Sequence, residues 1–326
     1  MLFGIIKPVI SLGGMGLLFG VGLAYASKKF GVEVDPKVEA IRGILPGANC
    51  GACGYPGCDG FAEAVAKGEA PANGCTPGGA AVVENIGKIL GVEIDSQERK
   101  IARVLCQGDC DNAIDKYHYE GIQDCVAADL VLGGPKGCEF GCMGLGSCVR
   151  ACPFDAIHIN EKGIAEVDED KCTGCGKCVE ACPKSLIEMI AESSQVRVLC
   201  KSEDRGKDVK SVCKVGCIGC KICERVCKFD AIHVENNLAK IDYDRCVNCM
   251  LCAEKCPTNA IYANFDARKI AYIDGEKCIG CTLCKRACQF EAIEGEVKQK
   301  HKVLEDKCTG CAQCVEKCRV EAITMK

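Results

Sequence analysis

The longest apolar stretch comes first. Pro8 to Ser27 reads PVISLGGMGLLFGVGLAYAS, twenty positions without a charge, set between Lys7 and the pair Lys28 and Lys29. A helix of that length can span a bilayer. Its many glycines weaken a soluble helix but are common in membrane helices, and Gly16 with Gly20 makes a small-xxx-small face for close helix packing. Charges then return, and DGFAEAVAK from Asp59 to Lys67 and the segment Gly79 to Leu90 read as short helices. From Cys142 onward one unit recurs about every thirty residues, with one longer gap. In each copy an Ala-Ile or Leu-Ile pair opens a short strand-like stretch that ends in a turn. The pattern predicts an α+β chain with a transmembrane anchor helix in residues 1–30, a small helical domain in 31–95 and a connecting segment in 96–137. Three tandem modules follow in 138–195, 217–268 and 269–326, with a basic linker at 196–216.

Composition adds one decisive feature. Among 326 residues there are 33 cysteines, no Trp and only 5% aromatic side chains, so ordinary hydrophobic cores are small. Cysteine at that density points to disulfides, zinc or iron-sulfur clusters. Disulfide-dense chains are usually small and secreted, whereas these cysteines fall in tight runs, each able to hold one metal site. Five runs read C-x2-C-x2-C-x3-C: CTGCGKCVEAC from Cys172, CIGCKICERVC from Cys217, CVNCMLCAEKC from Cys246, CIGCTLCKRAC from Cys278 and CTGCAQCVEKC from Cys308. A degenerate sixth, CEFGCMGLGSCVRAC from Cys138 to Cys152, has Leu145 where the second cysteine belongs, and Cys138 is the obvious replacement. Zinc sites usually separate two CxxC knuckles by a longer loop and often include His. No His lies inside any of these runs. The histidines His118, His158, His233 and His301 are expected on exposed strand or loop positions, and His158 and His233 both follow Ala-Ile as a feature of the repeat.

Six copies make three pairs, and the two-cluster bacterial ferredoxin pattern explains why pairing matters. Three cysteines of a run hold one [4Fe-4S] cluster while the fourth reaches the other cluster. Each module is therefore expected to be a two-cluster ferredoxin-like unit of βαββαβ type. In the first pair the predicted ligands are Cys138, Cys142, Cys148 and Cys182 on one cluster, and Cys172, Cys175, Cys178 and Cys152 on the other. The second pair gives Cys217, Cys220, Cys223 and Cys256, then Cys246, Cys249, Cys252 and Cys227. The third gives Cys278, Cys281, Cys284 and Cys318, then Cys308, Cys311, Cys314 and Cys288. Pro153, Pro183 and Pro257 follow the fourth cysteine of their runs, whereas Lys228, Gln289 and Arg319 stand there in the other three. Gly174, Gly219 and Gly280 let the backbone wrap closely enough to aim N–H groups at sulfur.

A different wrapping precedes the modules. NCGACGYPGCDGF from Asn49 to Phe61, with Cys75, gives C-x2-C-x4-C-x16-C and a site on Cys50, Cys53, Cys58 and Cys75. Seven clusters are thus expected. Cys106, Cys110, Cys125, Cys200 and Cys213 remain, room for an eighth cluster with either Cys200 or Cys213 as its fourth ligand. Arg103-Val-Leu-Cys106 is echoed by Arg197-Val-Leu-Cys200, which suggests two similar strands ending near each other. Cys213 also stands four residues before Cys217, as Cys138 does before Cys142, and so reads equally as a relic of the repeat.

Charge and compartment narrow the classes further. The formal net charge of −4 counts every cysteine as a neutral thiol. Seven or eight clusters, each roughly −2 with its four thiolates, make the assembled protein far more acidic, which argues against a nucleic-acid partner. Ala24-Tyr25-Ala26 resembles a signal-peptidase site. Even so, 33 cysteines held as thiolates suit a reducing cytosol, and Lys28 and Lys29 place the following domains inside by the positive-inside rule. A single-pass anchor in the cell (inner) membrane is the expectation. No G-x-G-x-x-G between a strand and a helix, P-loop or Ser/His/Asp set is evident, so no substrate-converting site is expected; the glycines of 141–146 serve a cysteine run instead.

The apolar anchor, CGACGYPGC with Cys75, and modules beginning GCMGLGSCVRACPFDAI together resemble the B subunit of the Rnf complex, a membrane ferredoxin:NAD+ oxidoreductase coupled to Na+ or H+ translocation. Many members of that family are similar to a portion with fewer modules, so the third pair is an extension. The resemblance implies a cytoplasmic-side subunit that takes electrons from reduced soluble ferredoxin and passes them to other membrane and cytoplasmic subunits. Gln195 to Asp230 holds nine Lys or Arg against five Asp or Glu, including Lys201, Arg205, Lys207 and Lys210, a candidate surface for steering an acidic donor. A polyferredoxin serving a hydrogenase or dehydrogenase, and a zinc-stabilised interaction protein, are the alternatives.

Overall fold

A computed structural model describes residues 2–29, 35–94 and 98–326, with side chains from residue 12 onward. The predicted boundaries at 30/31 and 95/96 lie outside the described residues, as do the side chains of residues 8–11 of the predicted anchor. Helix α1 (Leu2–Lys29) is continuous and ends on the two lysines. Leu12, Leu17, Leu18, Phe19, Val21 and Leu23 are all exposed along it. Among the described residues no helix is long and apolar enough to cross a membrane.

Three helices make the small domain: α2 (Pro36–Ile44), α3 (Gly57–Ala66) and α4 (Gly79–Leu90). Asp35 starts α2 by accepting the N–H of Lys37, with Pro36 in the first turn, and Gly91 closes α4 in the left-handed conformation. Their apolar stripes meet around Phe61, Ile41 and Ile86, each 1% exposed or less, with buried Cys75 beside them.

The rest is one plan used three times. Module one consists of β1 (Lys100–Val104), α5 (Cys125–Asp129), α6 (Ser147–Ala151), β2 (Ile157–Ile159), β3 (Ala165–Val167), α7 (Lys177–Glu180) and β4 (Ile187–Ala191). Module two runs β5 (Val196–Val198), α8 (Gly206–Val212), α9 (Ile222–Val226), β6 (Ile232–Glu235), β7 (Leu238–Ile241), α10 (Leu251–Glu254) and β8 (Ile261–Ala263). Module three has β9 (Ala271–Ile273), α11 (Leu283–Ala287), β10 (Ile293–Glu294), β11 (Lys302–Val303), α12 (Gln313–Glu316) and β12 (Ile323–Met325). In every module the outer strands pair antiparallel (β1 with β4, β5 with β8, β9 with β12), and so do the inner ones (β2 with β3, β6 with β7, β10 with β11).

Two opening strands lie outside the spans read from the cysteine runs. β1 falls in the segment read as a connector, and β5 at the start of the basic linker. The echo of Arg103-Val-Leu-Cys106 in Arg197-Val-Leu-Cys200 marks both as strands, but each pairs across a long stretch of chain, Lys100 with Ala191 and Val196 with Ala263, so the cysteine runs alone did not assign them to modules. Modules one and two therefore carry an insertion between first strand and first cysteine helix, holding α5 in one and α8 in the other, which module three lacks.

Replacing Phe61 with Ala should cost about 3–5 kcal/mol in the small domain, the usual penalty for emptying a buried aromatic site. Hydrogen exchange would show lost protection confined to residues 36–94.

Candidate metal centres

Each run is wrapped by the same backbone device. Its third cysteine lies in a short helix, Cys148 in α6, Cys178 in α7, Cys223 in α9, Cys252 in α10, Cys284 in α11 and Cys314 in α12. A left-handed residue caps every one of these helices: Gly146, Gly176, Lys221, Met250, Thr282 and Ala312. Three residues after the fourth cysteine the chain again turns left-handed, at Asp155, Ser185, Asp230, Asn259, Glu291 and Glu321. In five of the six, the next backbone N–H then points back at that cysteine's sulfur. Ala156 donates to Cys152 at 3.4 Å, Leu186 to Cys182 at 3.4 Å, Ala231 to Cys227 at 3.4 Å, Ala292 to Cys288 at 3.3 Å and Ala322 to Cys318 at 3.3 Å. The Ala-Ile motif thus does two jobs: its first residue supplies an N–H to sulfur, and its isoleucine enters the core, as Ile157, Ile232, Ile293 and Ile323 do. Such bonds favour the thiolate and tune the potential of a cluster bound to it.

The side chains gather in fours. In module three, Cys288, Cys308, Cys311 and Cys314 line one cavity of about 340 Å³, and Cys278, Cys281, Cys284 and Cys318 another of about 310 Å³. In module two, Cys227, Cys246, Cys249 and Cys252 line one of about 370 Å³. Burial pushes the Cys223 thiol up to about 11, with Cys217, Cys220 and Cys256 as the thiols near enough to add to the shift. Burial likewise takes Cys178 to about 12, beside Cys172, Cys175 and Cys152. In the small domain burial raises Cys75, with Cys58, Cys53 and Cys50 close by.

The first site of module one is grouped differently from its spacing. Cys142, Cys148 and Cys182 share a cavity of about 360 Å³ with Cys125, and Cys138 is absent from its lining. Asp124 holds Cys125 there. Its carboxylate caps α5 by accepting the N–H groups of Val126 and Ala127 at 2.9 and 3.0 Å, and it also accepts from Ser147 and Arg150, both at 2.8 Å. The N–H of Cys125 donates to Ser147 Oγ at 2.7 Å, which fastens α5 to α6. The Ala127 N–H, the Ser147 hydroxyl and the Arg150 guanidinium together hold the Asp124 carboxyl down to about 2. Cys125 lies far upstream of the run it joins, so periodicity carried no trace of it; Leu145 in the second-cysteine position was the only hint that a ligand must come from elsewhere. Cys138 instead lines a cavity with Cys106, Cys200 and Cys213. Cys110 is exposed and shares in neither.

His301 also departs from expectation. His118 and His158 are exposed, but His301 is 4% exposed, packed where Gly295 leaves room, with its backbone N–H 3.5 Å from Cys278 Sγ. The lysine-rich run after Gln299 gave no sign of a buried ring.

All 33 cysteines are described and none forms a disulfide. Among the described residues no three or more His, Cys, Asp or Glu side chains close around a single ion. A cubane asks for something else, four thiolates each on a different iron around an apolar hollow with N–H groups aimed at sulfur. The donor sets fit that group.

Comparison with known proteins agrees. Residues 45–77 match an Fe-S cluster family, 139–189 and 271–325 a 4Fe-4S dicluster domain, and 217–231 and 239–262 4Fe-4S binding domains. The chain is 48% identical over 245 residues to the B subunit of the Na(+)-translocating ferredoxin:NAD(+) oxidoreductase complex of Acetobacterium woodii, a match covering 75% of this chain and 74% of that one. It is 43% identical to the B subunit of the ion-translocating oxidoreductase complex of Methanosarcina acetivorans, over 74% of this chain and 91% of that one. The B subunit of the proton-translocating ferredoxin:NAD(+) oxidoreductase complex of Clostridium ljungdahlii is 47% identical over 70% and 81%. The chain belongs to the family of Rnf B subunits. Within it, this member carries several 4Fe-4S domains between residues 139 and 325, preceded by the Fe-S match at 45–77.

Gly280 tests how tightly the backbone must wrap. Its φ is +71°, and a Cβ there would lie 2.6 Å from the backbone N and O of Gln299. Gly280→Ala should cost about 1–2 kcal/mol for the left-handed backbone alone, before that clash. Its effect should be lost iron and sulfide from module three with the other modules still loaded, measured by metal analysis and hydrogen exchange.

Proposed function

We propose that this chain is the electron-transfer subunit of a membrane-bound, ion-translocating ferredoxin:NAD+ oxidoreductase. One observation carries the reading: the four-cysteine sites lie next to one another. Cys148 has Cys178 of the neighbouring site among the thiols that add to its burial-raised pKa of about 12, and Cys252 has Cys223 in the same way. Cys249 of module two is similarly close to Cys311 of module three, and Cys175 of module one to Cys50 of the small domain. Clusters in such a file pass electrons without substrate chemistry, each tuned by hydrogen bonds, charge and exposure. Seven sets follow: Cys50/53/58/75, Cys152/172/175/178, Cys125/142/148/182, Cys217/220/223/256, Cys227/246/249/252, Cys278/281/284/318 and Cys288/308/311/314.

Reduced ferredoxin is the donor, and the other subunits carry the NAD+ chemistry and ion transport. Helix α1 is the anchor by its charge-free sequence from Pro8 to Ser27, with the apolar side chains from Leu12 to Leu23 exposed and Lys28 and Lys29 at its end to hold the cluster-bearing domains on the cytoplasmic side. For donor docking, Arg205, Lys207 and Lys210 are exposed on and beside α8, whereas Lys201 is half-buried and paired with Glu188.

Anaerobic purification from detergent-solubilised membranes should bring down this chain with its partner subunits, carrying roughly four irons and four sulfides per site; zinc without acid-labile sulfide would refute the reading. Removing residues 1–29 should move the loaded chain to the soluble fraction. Reversing Arg205, Lys207 and Lys210 to Glu should slow ferredoxin-dependent reduction about tenfold or more at low salt and much less at high salt. Equal rates at both would eliminate that docking surface.

A further inference from the structure

The cavity of about 430 Å³ lined by Cys106, Cys138, Cys200 and Cys213 is of the same kind as the four cavities already described, which span about 310 to 370 Å³. Its cysteines come from four segments. Cys106 and Cys200 follow the equivalent strands β1 and β5, whose Arg103 and Arg197 both reach Glu169 and so hold the two strand ends together. Cys213 ends α8, and its backbone bridges Ala113, with Ile114 N–H donating to Val212 O at 3.0 Å and Lys214 N–H to Asn112 O at 2.8 Å. That pairing brings it to the loop after Cys106. A Cβ on Gly108 would lie 3.6 Å from Cys106 Sγ and 3.8 Å from Cys213 Sγ, so the glycine leaves the space between the two sulfurs open. Lys136, 7% exposed and paired with Asp115 at 3.2 Å, puts one buried cation in the wall of the hollow.

The sulfurs here receive N–H groups as in the other sites. Gly108 N–H donates to Cys106 Sγ at 3.4 Å, and Cys142 N–H donates to the same sulfur at 3.5 Å. On the far side Cys200 packs against the core of module two that includes buried Cys217. Cys142 belongs to the nearer site of module one and Cys217 to that of module two. The cavity is therefore one hydrogen bond from the first and in packing contact with the second, between two modules whose own sets have no thiols shown beside one another.

We propose that Cys106, Cys138, Cys200 and Cys213 hold an eighth [4Fe-4S] cluster, and that this cluster is the connection for electrons between module one and module two. The proposal rests on the reading of the other sites as iron-sulfur clusters. It leaves one cysteine of the 33, exposed Cys110, as a free thiol.

Alkylation of the anaerobic, cluster-loaded full chain with iodoacetamide, followed by peptide mass spectrometry, tests the ligands without altering the protein. Cys110 alone should be labelled. Labelling of Cys106, Cys138, Cys200 or Cys213 in protein that keeps the iron of the other seven sites overturns the proposal, whereas an unaltered chain with no iron or sulfide refutes the underlying reading instead. Variants separate this site from its neighbour. Cys138→Ala and Cys125→Ala should each lower iron content by up to four atoms, and the double variant by the sum, since they serve different clusters. Cys138→Ala with Cys213→Ala should lose no more than four atoms in all, and Cys110→Ala should lose nothing. If Cys138→Ala and Cys125→Ala fail to add, both belong to one site and the assignment is wrong. Stopped-flow reduction by ferredoxin should bleach the unaltered chain in one phase. In Cys138→Ala it should split off a phase at least tenfold slower, and a single unchanged phase would remove the relay.

Discussion

Everything in this protein depends on sulfur being held in fours by a short, tightly turned backbone. The cores are too small to do otherwise. The third module buries Ala271, Ile273, Ile293, Val303 and Ile323 together with Cys284 and Cys314, so its cysteines are part of the packing as well as the cofactor site. Burial raises those thiols, Cys314 to about 12, and without iron they would sit neutral in an apolar hollow. Iron changes that balance by taking up the thiolates, so cluster binding and folding are one free energy. The left-handed residues before each helix and after each fourth cysteine are where that constraint is written into the backbone.

Repetition makes a file of sites, and insertion makes it continuous. Three copies of one βαββαβ plan each place two sites side by side, and the small helical domain adds another against module one. The insertions after β1 and β5 have no counterpart in module three. They meet each other through the Ala113 to Cys213 bridge and enclose a hollow between the two modules, with Arg103 and Arg197 gathered on Glu169 beneath it. Family membership agrees with such an architecture, since the relatives are named as parts of oxidoreductase complexes and not for a substrate that they convert alone.

Much of this was legible in the residues themselves. The C-x2-C-x2-C-x3-C register pointed to the type of centre, and the grouping of Cys288 with Cys308, Cys311 and Cys314 around one hollow is the crosswise one it predicts. The C-x2-C-x4-C-x16-C segment was an equally local signal, readable from spacing. What only the tertiary structure decided was which isolated cysteine serves which site. Cys125 and not Cys138 lines the hollow of Cys142, Cys148 and Cys182, with Asp124 fastening α5 to Ser147 and Arg150, while Cys138 lines the hollow shared with Cys106, Cys200 and Cys213. Those contacts join segments tens of residues apart whose pairing has no period. A repeat can announce the ligands inside it, but the ligands that come from between repeats are chosen by packing alone.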